Sequence, residues 1–336
     1  MTIWNAFTSG VRRVNGAPSV LAGVLALTFL AGLPLGLALR EMIADSLGAS
    51  AVRLAPPAQG GASDLYAWWQ QFSEQAAGVG RAFSPAIIGR GAVLDNLSSL
   101  LDNRSHVVPV AAAGAAYVLV WILLAGGILD RYARNRRTRS YGFFAACGGC
   151  FFRLLRVGAM AGLAYAVLFL LVHPLLFGAV YQALTVDVTV ERDAFAVRVT
   201  FYLLFGAVLC LCNLVFDYAR IRLVVEDRRS ALGAIVAAVS FVRRHPAAFA
   251  LYILDACCYL LVVAAYIVFA PGARVPAWTT LLAGEVYVVA RLWVKLLFYA
   301  SQTAFFQGRL AHSGYTAAPL PSWPESPAAE AIIHST

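Results

Sequence analysis

Apolar residues in this chain come in blocks too long for the core of a small soluble domain. Six stretches carry few charges: about Pro18–Leu39, Val107–Leu129, Val157–Val180, Ala194–Phe216, Ala247–Ala270 and Trp278–Phe306. About 20 apolar residues cross the roughly 30 Å hydrocarbon layer of a bilayer. No water is available there to satisfy the backbone, so each stretch predicts a membrane-spanning helix. Arg12 and Arg13 precede the first stretch, as in a signal peptide. A signal's apolar region is only about 7–15 residues, so a retained span is expected instead.

A shorter block poses a different problem. Ala231 to Val242 is apolar, with Arg228 and Arg229 before it and Arg243 and Arg244 after it. Such a block is too short to span, and arginines favour phosphate headgroups, which predicts a helix lying in the interface near 228–245. Leu232, Ile235, Val236, Val239 and Val242 recur at helical spacing and are expected to form its buried stripe. His245-Pro246 ends it, because proline disfavours helix in the residue before it. The design also occurs earlier. Asp130 with Tyr132-Ala133-Arg134 parallels Asp217 with Tyr218-Ala219-Arg220, and the apolar piece Phe143–Phe152 is followed by Arg153 and Arg156. A first interfacial helix is therefore expected near 141–153. The sixth span ends in the related QTAFFQGRL, a faint third copy.

These units predict an all-α polytopic integral membrane protein: six transmembrane helices in a repeated hairpin design, with two cytoplasmic interfacial helices. The repeated unit, over roughly 107–310, resembles uncharacterised six-helix bacterial membrane protein families. It is also similar to the membrane domain fused to some glycerophosphodiester phosphodiesterases. The resemblance implies architecture only, since no phosphodiesterase domain accompanies the unit and no enzymatic role carries over.

Composition agrees with the pattern. Of 336 residues, 61% are hydrophobic and 13% charged, against about 25% charged in a soluble domain. The net charge of +9 would suit nucleic acid if it were gathered on one soluble face, but its placement points to a membrane. Sixteen basic residues lie at the N-terminus, after spans two and four, and after span six, while seven lie on the other side. The positive-inside rule then puts both termini in the cytoplasm. Lys295 is the single lysine, and the arginine- and alanine-heavy composition points to a bacterial inner membrane. The expected layout is a cytoplasmic N-terminus (1–17), span one (18–39), an external helical cap (40–106), a five-helix membrane region (107–310) and a disordered cytoplasmic tail (311–336). Anionic phospholipid is the expected partner of Arg153, Arg156, Arg228, Arg229, Arg243 and Arg244. A membrane protein partner is allowed, and nucleic acid is not expected.

Inside the cap, Ser63 and Asp64 suit a helix start. The following DLYAWWQQFSEQA presents Tyr66, Trp69 and Phe72, with Trp68 adjacent, for the outer headgroups. A second short helix is expected over Ala92–Leu101. Asn96 and Asn103 match a glycosylation acceptor pattern that has no meaning in a bacterium.

Charges within spans are costly and usually have a reason. Asp255 lies in span five, and Glu285, Arg291 and Lys295 lie in span six. With the intervening turn centred near 273–274, Asp255 and Arg291 fall at one depth, which predicts an ion pair. That pair either fixes the hairpin or lies on an ion pathway. Arg198 is a candidate partner for Glu285, Lys295 is expected to snorkel, and His173-Pro174 to mark a kink. Cys147-Gly-Gly-Cys150 has a redox or zinc spacing but no second ligand pair, so close packing explains it better. No metalloprotease, phosphate-loop or nucleophile-elbow motif occurs. Asp217-Tyr-Ala-Arg220 lacks the glycine and trailing aspartates of phospho-alcohol transferases. The leading expectation is a non-catalytic scaffold or accessory subunit without cofactor or metal. The alternative is a transporter or permease component with intramembrane charges lining a pathway.

Overall fold

The computed structural model describes residues 1–48, 67–68, 71–72, 90–104, 108–270 and 277–310. Among them run nine helices and no strand: α1 (Ile3–Asn15), α2 (Pro18–Gly48), α3 (Arg90–Leu101), α4 (Val108–Arg134), α5 (Ser140–Thr185), α6 (Glu191–Val225), α7 (Ala231–Arg244), α8 (Ala247–Phe269) and α9 (Ala277–Leu310). Five of these, α2, α4, α5, α6 and α8, are long and apolar enough to cross a membrane. The 34-residue α9 is equally long but carries Glu285, Arg291 and Lys295 along its middle. The expected tail and the turn near 273–274 lie outside the described residues, as do Tyr66 and Trp69.

Packing centres on α9, which α1, α2, α4, α6 and α8 all touch. Its Leu292, Leu296, Leu297, Ala300, Phe305 and Phe306 join the main core. α8 and α9 are antiparallel: Tyr266 stacks on Tyr287 at 4.2 Å, and Tyr252 meets Phe298 edge-on at 5.1 Å. α1 was expected only as an N-terminal segment, yet it is a capped helix whose first turn is closed by Thr2 Oγ1 accepting from Asn5 N. Ala6, Gly10 and Val14 recur at four-residue spacing and are buried. Arg13 Nη1 donates to Tyr132 O (2.8 Å) and to Gln307 Oε1 (3.0 Å), and Trp293 Nε1 donates to Asn15 Oδ1 (2.9 Å). Gly10 sits so close to Ser301 that a Cβ there would lie 2.8 Å from the Ser301 backbone.

The repeat holds at the helix ends and differs in between. At corresponding places Tyr132, Tyr218 and Thr303 are all fully buried, each followed by alanine. The expected first interfacial helix is corrected: residues 141–153 are the beginning of one helix that runs 46 residues from Ser140 to Thr185. No proline follows Arg153 or Arg156 at the corresponding place, whereas Pro246 stops the counterpart α7 at Arg244. Near Pro174, which has no N–H to give the ladder, α5 widens into π-helical turns at Leu168–Val172 and Leu175–Val180 without ending.

The expected buried stripe of α7 is also corrected. Ala231, Ala234, Ala238 and Phe241 face the bundle, while Leu232 and Val236 are 63% and 68% exposed. Small residues let helices approach closely, and the larger apolar ones are left facing outward. The same logic explains Cys147 and Cys150, which pack against Gly126 and Gly127 of α4, while a Cβ at Gly148 or Gly149 would meet nothing within 4 Å. Cys147 is buried, and all six cysteines are free thiols.

α2 outruns its expected span and buries Leu39 against Trp68 and Phe72, whose rings stack at 5.5 Å. α3 begins two residues before its expected start. Its last residue and the two after it pin it to the bundle: His173 Nε2 meets Leu101 O (2.8 Å), Asn103 Nδ2 donates to Phe169 O (2.9 Å), and Tyr202 Oη donates to Asp102 Oδ1 (2.6 Å). The Tyr202 hydroxyl, with Arg198 and Arg104 beside it, holds the Asp102 carboxyl below its usual pKa.

Gly10→Val should lower the thermal midpoint in detergent, because overpacking a closed helix contact costs about 1–3 kcal/mol. Gly23→Ala, where a Cβ meets nothing within 4 Å, should raise it, because alanine stabilises a helix interior by about 0.5–1 kcal/mol over glycine. Differential scanning fluorimetry of both variants checks the opposite signs.

Candidate functional site

Several helices that touch α9 leave a cavity beside it. It measures about 590 Å³, within the roughly 300–1,000 Å³ typical of small-molecule sites. α9 contributes Arg291, Lys295 and Tyr299, α4 contributes Tyr117 and Trp121, and α6 contributes Asn213, Asp217 and Arg220. Thr28 of α2 and Tyr259 of α8 complete its polar lining.

Each charged group there is held in a specific way. Arg220 Nη1 bonds Asp217 Oδ1 at 3.0 Å, an i,i+3 pair on one helix face. Lys295 Nζ lies 3.5 Å from the centre of the Trp121 ring and 5.6 Å from that of Tyr117, within cation–π range. Arg291 lies over Tyr287 at 5.4 Å. Neither Arg291 nor Lys295 has a carboxylate within ion-pair distance among the described residues. Arg220 and Arg291 are both close enough to Lys295 to repel it, and Asp217 is close enough to attract it. Three cations thus share the cavity with one carboxylate. At one end Asn213 is fixed by donating to Tyr252 Oη (2.9 Å) and accepting from Tyr165 Oη (3.4 Å).

The expected Asp255–Arg291 ion pair does not form. Asp255 is fully buried, and its Oδ2 accepts from Ser301 Oγ at 2.6 Å. Its Oδ1 has no hydrogen-bond partner among the described residues. The aromatic pairs of α8 and α9 centre the hairpin near 275–277, beyond the assumed 273–274, so the level partner of Asp255 lies well past Arg291. Arg198 also departs from expectation: it bonds Tyr202 Oη (2.9 Å) and Asp102 Oδ1 (3.2 Å), not Glu285. Glu285 instead lines an apolar groove on the outside of α8 and α9, with Cys258, Leu261 and Trp293.

Of the six arginines assigned to headgroups, Arg156, Arg229, Arg243 and Arg244 are exposed, with no carboxylate partner among the described residues. Arg153 and Arg228 are engaged, with Asp227 and Glu226 respectively. The first copy of the repeated acidic motif closes on itself, Asp130 to Arg134 at 2.7 Å. Only the second copy reaches the cavity. Sequence reasoning ended span four at Phe216 and so left Asp217 and Arg220 outside. The overlooked signals were the continuation of the helix through Val225, the polar Asn213 within that span, and the i,i+4 pair Tyr117 and Trp121. Among the described residues no three His, Cys, Asp or Glu side chains come together as a metal site would need. Comparison with protein-family models, curated proteins and solved structures finds no match to this chain.

A double-mutant cycle separates the two accounts of Asp255. Asp255→Ala with Ser301→Ala should show a coupling of about 0.5–3 kcal/mol in detergent unfolding, as touching residues do. Asp255→Ala with Arg291→Ala should add within about 0.3–0.5 kcal/mol. Coupling to Arg291 instead of Ser301 would restore the ion pair.

Proposed function

We propose that this chain is a six-span protein of the bacterial inner membrane that binds an anionic ligand within its bundle, as a transporter or permease component. The observation that carries the reading is the imbalance of formal charge in the cavity, where Arg220, Arg291 and Lys295 face Asp217 alone. Clustered cations are costly away from water, and an incoming anion removes part of that cost. α9 is the sixth span in this reading, long enough to cross, with Arg291 and Lys295 on the cavity wall. The sixteen-to-seven distribution of basic residues supports cytoplasmic termini. No catalytic step is assigned.

A second reading, the scaffold or accessory subunit, has its own support in α7. Leu232 and Val236 point outward between Arg229 on one side and Arg243 and Arg244 on the other. Such a helix suits the inner headgroup layer, with anionic phospholipid at the arginines and room for a membrane protein partner. The two readings are compatible, since one concerns the outside of the bundle and the other its interior.

Native mass spectrometry of protein purified in mild detergent tests the first. The wild type is expected to carry a bound anionic species that Arg291→Gln with Lys295→Gln loses and Arg291→Lys keeps. Identical bound masses in all three proteins would contradict it.

A further inference from the structure

Resting on that reading, we infer that the anion is a lipid: an amphiphile with one phosphate group and a single hydrocarbon chain, the phosphate at Lys295 and Arg220. Three observations lead there. First, the cavity is long and largely apolar along its walls. Along α9 it runs from Val288 to Tyr299, about 16 Å at 1.5 Å per residue. Asn213, Asp217, Arg220 and Tyr299 gather at one end, while toward the other Val118, Ile122, Val288 and Leu292 form apolar walls beside Tyr117 and Arg291. A wholly polar solute would leave those walls against water, whereas a hydrocarbon chain covers them.

Second, the cavity reaches the side of the bundle. Val118 lines it and is also 55% exposed, and Arg291 at the same end is exposed. The residues beside this opening are those that face hydrocarbon if α4 spans a bilayer, so a lipid enters without crossing water. α2 closes the cavity with Thr28 alone, and its Phe29, Leu30, Leu33 and Leu37 point outward.

Third, the cations suit a phosphate. Arg220 offers a planar fork of five N–H donors, part of which is engaged by Asp217 and Tyr299. Lys295, held against Trp121 with no carboxylate partner among the described residues, offers a point charge.

The experiment uses the full chain in nanodiscs and a monoacylglycerol phosphate with a brominated chain, which quenches nearby tryptophan. Subtracting the signal of Trp121→Phe isolates Trp121. Saturable quenching is expected, reversed by the unbrominated compound, not by glycerol phosphate, and weakened at least tenfold by Lys295→Gln. Brominated monoacylglycerol without phosphate should bind at least tenfold more weakly. If glycerol phosphate displaces the probe as well as its acylated form does, the site takes a soluble anion; the inference falls and the proposed function stands. Equal quenching by the uncharged lipid would overturn both. Absence of saturable quenching, with a thermal midpoint unmoved by the phosphate lipid, would overturn the inference, and the bound mass of the wild type then judges the proposed function by itself.

Discussion

A charge taken out of water must meet other polar groups or be lost from the structure, and α9 carries its charges under that constraint. Lys295 lies on the Trp121 ring, Arg291 lies on the ring of Tyr287, and both turn toward the cavity shared with Asp217 and Arg220. The helix therefore has one polar face, and its neighbours are arranged to serve it. α4 supplies aromatic rings, α6 supplies an acid and a guanidinium, and α1 covers the opposite flank. Glu285 stands apart on the outer groove of the α8–α9 pair.

Holding that arrangement falls to small residues. Gly10 admits α1 onto α9, and Gly126 with Gly127 admits Cys147 and Cys150 of α5 onto α4. In the proposed bilayer hydrocarbon is as apolar as leucine, so burial of large side chains gives little drive to helix association. Close contact and polar links do more. Arg13 bridging Tyr132 O and Gln307, and Ser301 donating to Asp255, tie together segments far apart in the chain. The buried alanine stripe of α7, with Leu232 and Val236 turned out, follows the same rule.

Much of the fold could be read from the sequence because length and apolarity decide a spanning helix almost alone. The five long apolar helices and α7 lie where the pattern placed them. What escaped depended on registers and faces. Each residue of error in the centre of the α8–α9 turn moves the level partner by two, so an error of two or three residues is enough to take the expected partner of Asp255 off the turn of α9 that holds Ser301 and back to Arg291. The stripe expected for an interfacial α7 follows its largest apolar residues, yet the bundle takes the small ones, and Leu232 and Val236 point outward. Arg153 and Arg156 mark a helix boundary in the sequence pattern, yet α5 runs through them, because their long side chains can reach polar surroundings without breaking a helix. The cavity is invisible in the sequence because its walls come from five separate helices, and of its four charged residues only Arg291 and Lys295 fall within the expected spans.

The charged face of α9 at Arg291 and Lys295 lines a cavity, whereas Val286 and Val289 line the apolar groove on the outside of the α8–α9 pair. Cysteine accessibility tests it directly, in a background with the six native cysteines replaced. Arg291→Cys and Lys295→Cys in membrane vesicles should react with a small, charged thiol reagent, whereas Val286→Cys and Val289→Cys should not. Equal reactivity along α9, or none at 291 and 295, would contradict the account.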